Sequence, residues 1–98
     1  MSKNYLGGLP LWNPDIAKAR AEERGVALEQ AHWDIILVAR QFYEDFGFSP
    51  SSRPLAKCIC EKLGAEKARS IYLLTLFPDS PARKIAEISG LPAPKNCL

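Results

Sequence analysis

Apolar residues recur at helical spacing in five blocks of this chain, each closed by a glycine or a proline. The longest covers 29–46, where Trp33, Ile36 and Leu37 fall on one face and Ile35, Val38, Ala39, Phe42 and Phe46 on the adjoining one, with Gly47 to end it. So wide an apolar arc predicts a central helix. Ahead of it, Asn13-Pro14 reads as an N-cap with proline at the first helical position, Trp12 sits where a hydrophobic staple belongs, and Gly25 gives a stop, so a helix is expected over 14–24.

A third helix is expected to start near Ser52, because Pro54 fits within a first turn but breaks a helix begun much earlier. Leu55, Ala56, Ile59, Cys60 and Leu63 form its stripe, and Gly64 ends it. Over 66–77 a fourth block keeps Ala68, Ile71, Tyr72, Thr75 and Leu76 in helical register before Pro78. The fifth opens at Ser80-Pro81, lines its inner side with Ala82, Ile85 and Ala86, and stops at Gly90.

The ends are different. Gly7-Gly8 and Pro10 make 1–13 a turn or short extended piece, and the prolines of Leu91-Pro92-Ala93-Pro94 favour a stiff, polyproline-like arm over 91–98. Together these elements predict a mainly α fold: a small orthogonal five-helix bundle over 14–90, with a short N-terminal extended segment or partial β-hairpin in front and a C-terminal arm behind.

Composition narrows the class. With 98 residues, 47% hydrophobic and 24% charged, the chain suits one domain over 1–98 and excludes wholly disordered, fibrous and coiled-coil readings. Thirteen Lys and Arg against 11 Asp and Glu leave a net charge of +2, well short of the basic excess that phosphate-backbone binding usually shows. A helix-turn-helix reading would use the third and fourth helices around Gly64. In the latter only Lys67 and Arg69 are basic, while Ile71 to Leu74 look committed to a core, so direct DNA binding is not expected. No apolar run of secretory or membrane-spanning length is present, and three cysteines without zinc or disulfide spacing fit a reducing compartment, so the protein is expected in the cytoplasm.

The thiol at Cys97 stands one position from the chain end on that stiff arm, which at about 3.1 Å per residue could carry it roughly 20 Å from Gly90. Position alone leaves two readings open: a nucleophile presented to another protein, or an incidental surface cysteine. The neighbouring Leu98 carboxylate disfavours a thiolate unless positive charge offsets it, and Lys95, Arg83, Lys84 and Arg53 are the candidates if the arm folds back. For all four the plain alternative is a solvated face.

Cys58 and Cys60 lie about 200° apart around the third helix, which prevents a shared metal or an unstrained disulfide. Cys60 is expected in the core; Cys58 lies nearer Lys57 and Glu61. His32, the only histidine, has no catalytic partner nearby in sequence and is expected to pack or hydrogen-bond. With no phosphate loop, nucleophile elbow or metal motif, no cofactor is expected.

The order of motifs along the whole chain resembles the DsrC/TusE family of sulfur-relay proteins. The matching residues are Tyr5-Leu6, Trp12, His32-Trp33, Tyr43-Glu44 through Gly47, Ser49-Pro50, Arg53, Lys62-Leu63-Gly64, Leu76-Phe77-Pro78, Pro81-Ala82, Gly90-Leu91-Pro92, Pro94 and the penultimate Cys97. The resemblance implies a helical bundle with an N-terminal β-hairpin and a mobile C-terminal arm whose penultimate cysteine, here Cys97, accepts sulfur as a persulfide.

Members that act with dissimilatory sulfite reductase carry a second cysteine eleven positions upstream, where this chain has Ala86. The resemblance therefore implies the single-cysteine branch, in which sulfur passes from a TusBCD complex to the tRNA thiouridylase MnmA for the wobble uridine, with tRNA bound to the acceptor. The alternative it leaves is a partner or regulatory subunit of a sulfite reductase. Two departures stand out: the family's N-terminal segment is longer, so only the second hairpin strand is expected, and Pro54 follows Arg53 where a plain helix former is usual.

Overall fold

A computed structural model describes residues 5–94. Five α-helices are present: α1 (Pro14–Glu23), α2 (Gln30–Phe46), α3 (Ser52–Leu63), α4 (Ser70–Leu76) and α5 (Pro81–Ile88). Single 3-10 turns occupy Tyr5–Gly8 and Ala65–Ala68. The predicted N-terminal strand is not there: among the described residues no strand is found, and Tyr5–Gly8 turns against α2 instead, with the Leu6 N–H donating to Glu44 Oε1 at 3.0 Å.

Local chemistry fixes most helix ends. Asn13 Oδ1 accepts from the Ile16 N–H ahead of Pro14, as an N-cap followed by proline at the first helical position requires. Pro54 falls in the first turn of α3, where a missing N–H breaks no intrahelical bond, so the helix starts at Ser52 as the sequence predicts. Gly47 ends α2 in the left-handed region, with φ 79°, and a Cβ there would lie 2.9 Å from the Tyr5 ring.

His32 is a satisfied structural residue. It is buried, its Nδ1 accepts from the Glu29 N–H in a capping arrangement at the start of α2, and its Nε2 donates to the Leu76 carbonyl at 3.0 Å. The ring packs edge-on against Phe77, tying α2 to the end of α4.

In the middle of the fold α2 packs against α3 and α5, and α1 closes over α5. Ile35 and Ile36 of α2, Leu55 and Ile59 of α3, and Ile85 and Ile88 of α5 are fully buried there. The buried arc of α2 is narrower than its sequence suggests: Leu37 is 60% and Phe46 56% exposed.

A continuous helix over 66–77 does not form. Arg69 is extended, with φ −69° and ψ 140°, and separates the 3-10 turn from α4. That restart turns Leu73 and Phe77, four apart, into the core and leaves Ile71 71% exposed, so a large aromatic is buried where unbroken helical register would have buried Ile71.

Cys58 and Cys60 exchange the expected environments. The inner stripe of α3 centres on Leu55 and Ile59, which at 100° per residue puts Cys58 about 80° from its middle and Cys60 about 120° away. Cys58 accordingly packs against the core and Cys60 is exposed.

Candidate functional site

The arm leaves the bundle at the end of α5, and three elements converge on that point. Beyond the last full turn of α5, the carbonyls of Glu87, Ile88 and the cap residue Ser89 each take a side-chain donor from elsewhere. Arg20 Nη1 of α1 donates to the Glu87 carbonyl at 2.8 Å, Trp12 Nε1 to the Ile88 carbonyl at 2.9 Å, and Arg40 Nη1 of α2 to the Ser89 carbonyl. Two of the three donors are cations, which complements the negative end of the helix dipole.

These groups also hold one another. The Arg40 guanidinium carbon lies 3.9 Å from the centroid of the Trp12 ring, and Arg24 Nε donates to Glu87 Oε1 at 2.9 Å. Burial lowers the pKa of Arg40 from its ordinary value, against the opposing pull of the Glu44 carboxylate, yet a guanidinium remains a cation. Trp12, expected only to staple α1, thus reaches the far end of the chain.

Gly90 makes the turn. Its φ is 76°, and a Cβ would stand 2.4 Å from Trp12 Cδ1, so both the backbone conformation and the close approach of the indole call for glycine. The Leu91 N–H then donates back to the Ala86 carbonyl at 2.8 Å, and Leu91 itself is buried.

The first part of the arm lies along the bundle rather than standing away from it. Ser49 Oγ, buried in the α2–α3 connection, donates to the Pro92 carbonyl, and Pro94 is buried. Beside Pro92 and Ala93 runs a groove of about 510 Å³ walled by Tyr43, Gly47, Phe48, Ser49 and Ser51. The expected reach from Gly90 is therefore shortened: residues 91–94 are spent on the bundle surface. Lys95 and Cys97 lie outside the described residues.

Of the basic candidates, Arg53 is exposed on the first turn of α3, two residues from Ser51 in the groove wall. Arg83 and Lys84 stand in the first half of α5, about 6–8 Å along its axis from Ile88. Arg83 is exposed, and Lys84 Nζ lies 3.6 Å from Asp79 Oδ2. Of these three, Arg53 is the one next to the groove wall in sequence.

Ala86 is buried on the inner side of α5. The cysteines among the described residues are both on α3, and burial, followed by the nearby Glu61 carboxylate, raises the Cys58 thiol pKa. No group of His, Cys, Asp and Glu able to hold a metal occurs among the described residues.

A family model described as DsrC like protein matches residues 1–98. The chain belongs to the DsrC-like protein family. Its relatives include a sulfurtransferase TusE homolog from Haemophilus influenzae, 45% identical over 94 residues that cover 96% of this chain and 86% of the relative. Sulfurtransferase TusE from Pectobacterium atrosepticum is 39% identical over 97 residues, covering 99% and 89%.

Two solved structures share the fold. DsrC from Allochromatium vinosum superposes with a TM-score of 0.82 at 40% identity, over 98% of this chain and 86% of that one. The oxidized γ-subunit of the dissimilatory sulfite reductase from Archaeoglobus fulgidus gives 0.75 at 27%, over 98% and 84%. Within this DsrC-like fold, Ala86 places a methyl group eleven residues before Cys97, so α5 supplies no thiol for a disulfide with the chain end.

Sequence reasoning missed the clamp at the arm root. Trp12 and Ser49 were visible as motif residues, but nothing along the chain distinguishes Arg40 from any other helix-borne cation.

Proposed function

We propose that the protein is a sulfur carrier that receives sulfane sulfur on Cys97 and passes it to an acceptor protein in tRNA wobble-uridine 2-thiolation. Its relatives across nearly the full chain are sulfurtransferases of the TusE type, and this chain is a sulfur-relay protein of the same family. The observation that carries the finer reading is the built exit of the arm: three carbonyl caps, a pinched glycine and the Ser49 bond give the segment before Cys97 a defined origin. An incidental terminal cysteine has no use for such an anchorage.

In the forward step the Cys97 thiolate attacks the outer sulfur of a donor cysteine persulfide. The donor sulfur–sulfur bond breaks, the donor cysteine leaves as a thiolate, and Cys97 holds the transferred sulfur as its own persulfide. An acceptor thiolate then attacks that outer sulfur and Cys97 leaves as a thiolate. Electrons balance within each exchange, so the two steps need neither an oxidant nor a cofactor. Lys95, Arg53, Arg83 and Lys84 are the cations assigned to favour the anionic sulfur, Lys95 on the arm itself and Arg53 next to the groove wall.

The partners on this reading are a TusBCD-like donor complex and an MnmA-like acceptor with tRNA bound to the latter, and the compartment is the cytoplasm. No helix of the described residues is long and apolar enough to cross a membrane. The sulfite-reductase reading is less favoured, because a two-cysteine cycle has only Ala86 where it would need a thiol. The helix-turn-helix reading loses its recognition helix, since α4 has seven residues and buries Leu73.

Labelled sulfur supplied through a persulfidated donor complex tests the proposal. Wild-type protein passes label to the acceptor, and Cys97→Ser abolishes it while Cys58→Ser and Cys60→Ser do not. Transfer that survives Cys97→Ser contradicts the reading.

A further inference from the structure

The aromatic cluster beside the arm root has no role in the fold proportionate to its exposure. Phe42 of α2 is buried, but Phe46 and Phe48, whose rings pack on it with centroids 4.7 and 5.3 Å away, remain 56% and 55% exposed. Phe48 also lines the groove together with Pro92 and Ala93, so the patch is continuous with the anchored arm. Gln41 and Asp45, hydrogen-bonded to each other at 3.0 Å and both exposed, supply polar neighbours on the same helix. Half-exposed aromatics with a polar surround are the composition of a binding hot spot.

Chain length decides what sits there. Pro94 is buried and Cys97 is three residues further on, a span of at most about 11 Å even when fully extended. A folded protein whose own sulfur-bearing cysteine meets Cys97 must therefore come close to Pro94, next to the groove walled by Phe48, whose ring centroid lies 6.3 Å from that of Phe46.

We propose that Phe46 and Phe48 are the docking site for the protein that donates sulfur to Cys97, a partner whose persulfide-bearing cysteine is ringed by apolar surface. The proposal rests on the carrier reading of Cys97. Two half-exposed rings and a groove form a patch suited to a transient encounter, far from the extensive apolar face of an obligate dimer. That favours a relay donor over a second copy of this chain, and the exposed Asp45 carboxylate next to Phe46 favours it over an acceptor that carries polyanionic tRNA.

The test measures single-turnover loading of Cys97 at sub-saturating donor, read by mass spectrometry, with two donors: a persulfidated TusBCD complex and glutathione persulfide. The double substitution Phe46→Ser with Phe48→Ser slows loading by the protein donor at least tenfold and leaves loading by glutathione persulfide unchanged. Phe46→Ser alone, at the more exposed ring, gives a smaller loss in the same direction. Ile71→Ser, which removes a still more exposed apolar side chain elsewhere, changes neither rate.

Unchanged loading of the double variant by the protein donor overturns the proposal. So does faster loading by glutathione persulfide, which would mean that the chain's own last residues cover the patch. A dimer in sedimentation that dissociates on substitution, with protein-donor loading intact, assigns the patch to a second copy and equally overturns it. If glutathione persulfide and the protein donor both fail to load wild-type Cys97, the carrier reading itself fails, and the docking proposal with it.

Discussion

The guanidinium of Arg40 stacks over the ring of Trp12, 3.9 Å from its centroid, while each of the two side chains donates to a different carbonyl at the end of α5. One stacked pair thus joins the N-terminal segment, the central helix and the origin of the arm. Lysine keeps the charge but not the flat face or the forked donors. Arg40→Lys is expected to cost about 1–2 kcal/mol in urea unfolding, from a weakened charged hydrogen bond and a poorer cation–aromatic contact. A loss below about 0.3 kcal/mol would show that the pair does not hold the arm root.

Gly90 is constrained twice. Alanine there must adopt φ 76° and force its Cβ against Trp12, where the distance to Cδ1 would be 2.4 Å. Backbone strain and overpacking together predict a loss of about 2–4 kcal/mol for Gly90→Ala, measured by chemical denaturation. Trp12→Ala combined with Gly90→Ala should recover part of the clash relative to the sum of the single changes, the signature of residues in contact.

Ser89 behaves in the opposite sense. It is fully buried, and its Oγ finds no hydrogen-bond partner among the described residues. Removing an unsatisfied buried hydroxyl relieves a desolvation penalty, so Ser89→Ala is expected to stabilise by up to about 1 kcal/mol. Destabilisation on that substitution would mean that the hydroxyl is bonded in solution.

The two α3 thiols are predicted to differ in reactivity. Cys60 is exposed, whereas Cys58 packs against the core and has its pKa raised, first by burial and then by Glu61. Because the thiolate is the reactive form, a raised pKa leaves less of it at neutral pH, and Cys58 alkylation should climb with pH to a plateau above that of an ordinary thiol. Peptide mapping after brief iodoacetamide treatment at pH 7 should find Cys60 modified ahead of Cys58. The reverse order would contradict the packing of α3.

Much of the fold was legible because local rules and tertiary packing agree. Asn13-Pro14, Gly47 and the Ser52 start of α3 are decided within a few residues, and the structure places those helix ends as predicted. The break at Arg69 was not legible, since 66–77 satisfies helical spacing as written and only the gain from burying Phe77 selects the interruption. Cys58 and Cys60 were misassigned for a related reason: both border the Leu55–Ile59 stripe, and a small rotation of α3 settles which one is inside.

At the candidate site, the sequence pointed to the arm but misjudged how it is held. Proline content predicted stiffness, whereas the bond from Ser49 to Pro92 spans 43 residues and the Arg40 bond to Ser89 spans 49. Contacts between positions so far apart leave no periodic trace. The same holds for Phe46, which lies on the apolar arc of 29–46 in the sequence and stands half outside the core, with Phe48 beside it.

Mass spectrometry of the protein after incubation with a cysteine desulfurase, a relay donor and cysteine shows whether Cys97 bears the sulfur. One added sulfur, about 32 Da and removable by reductant, is expected on the C-terminal peptide of both the wild type and a Cys58→Ser, Cys60→Ser variant, and is expected to be absent in Cys97→Ser. An unmodified Cys97 in the presence of a donor that loads its established acceptor, or sulfur found on Cys58 or Cys60 instead, would contradict it.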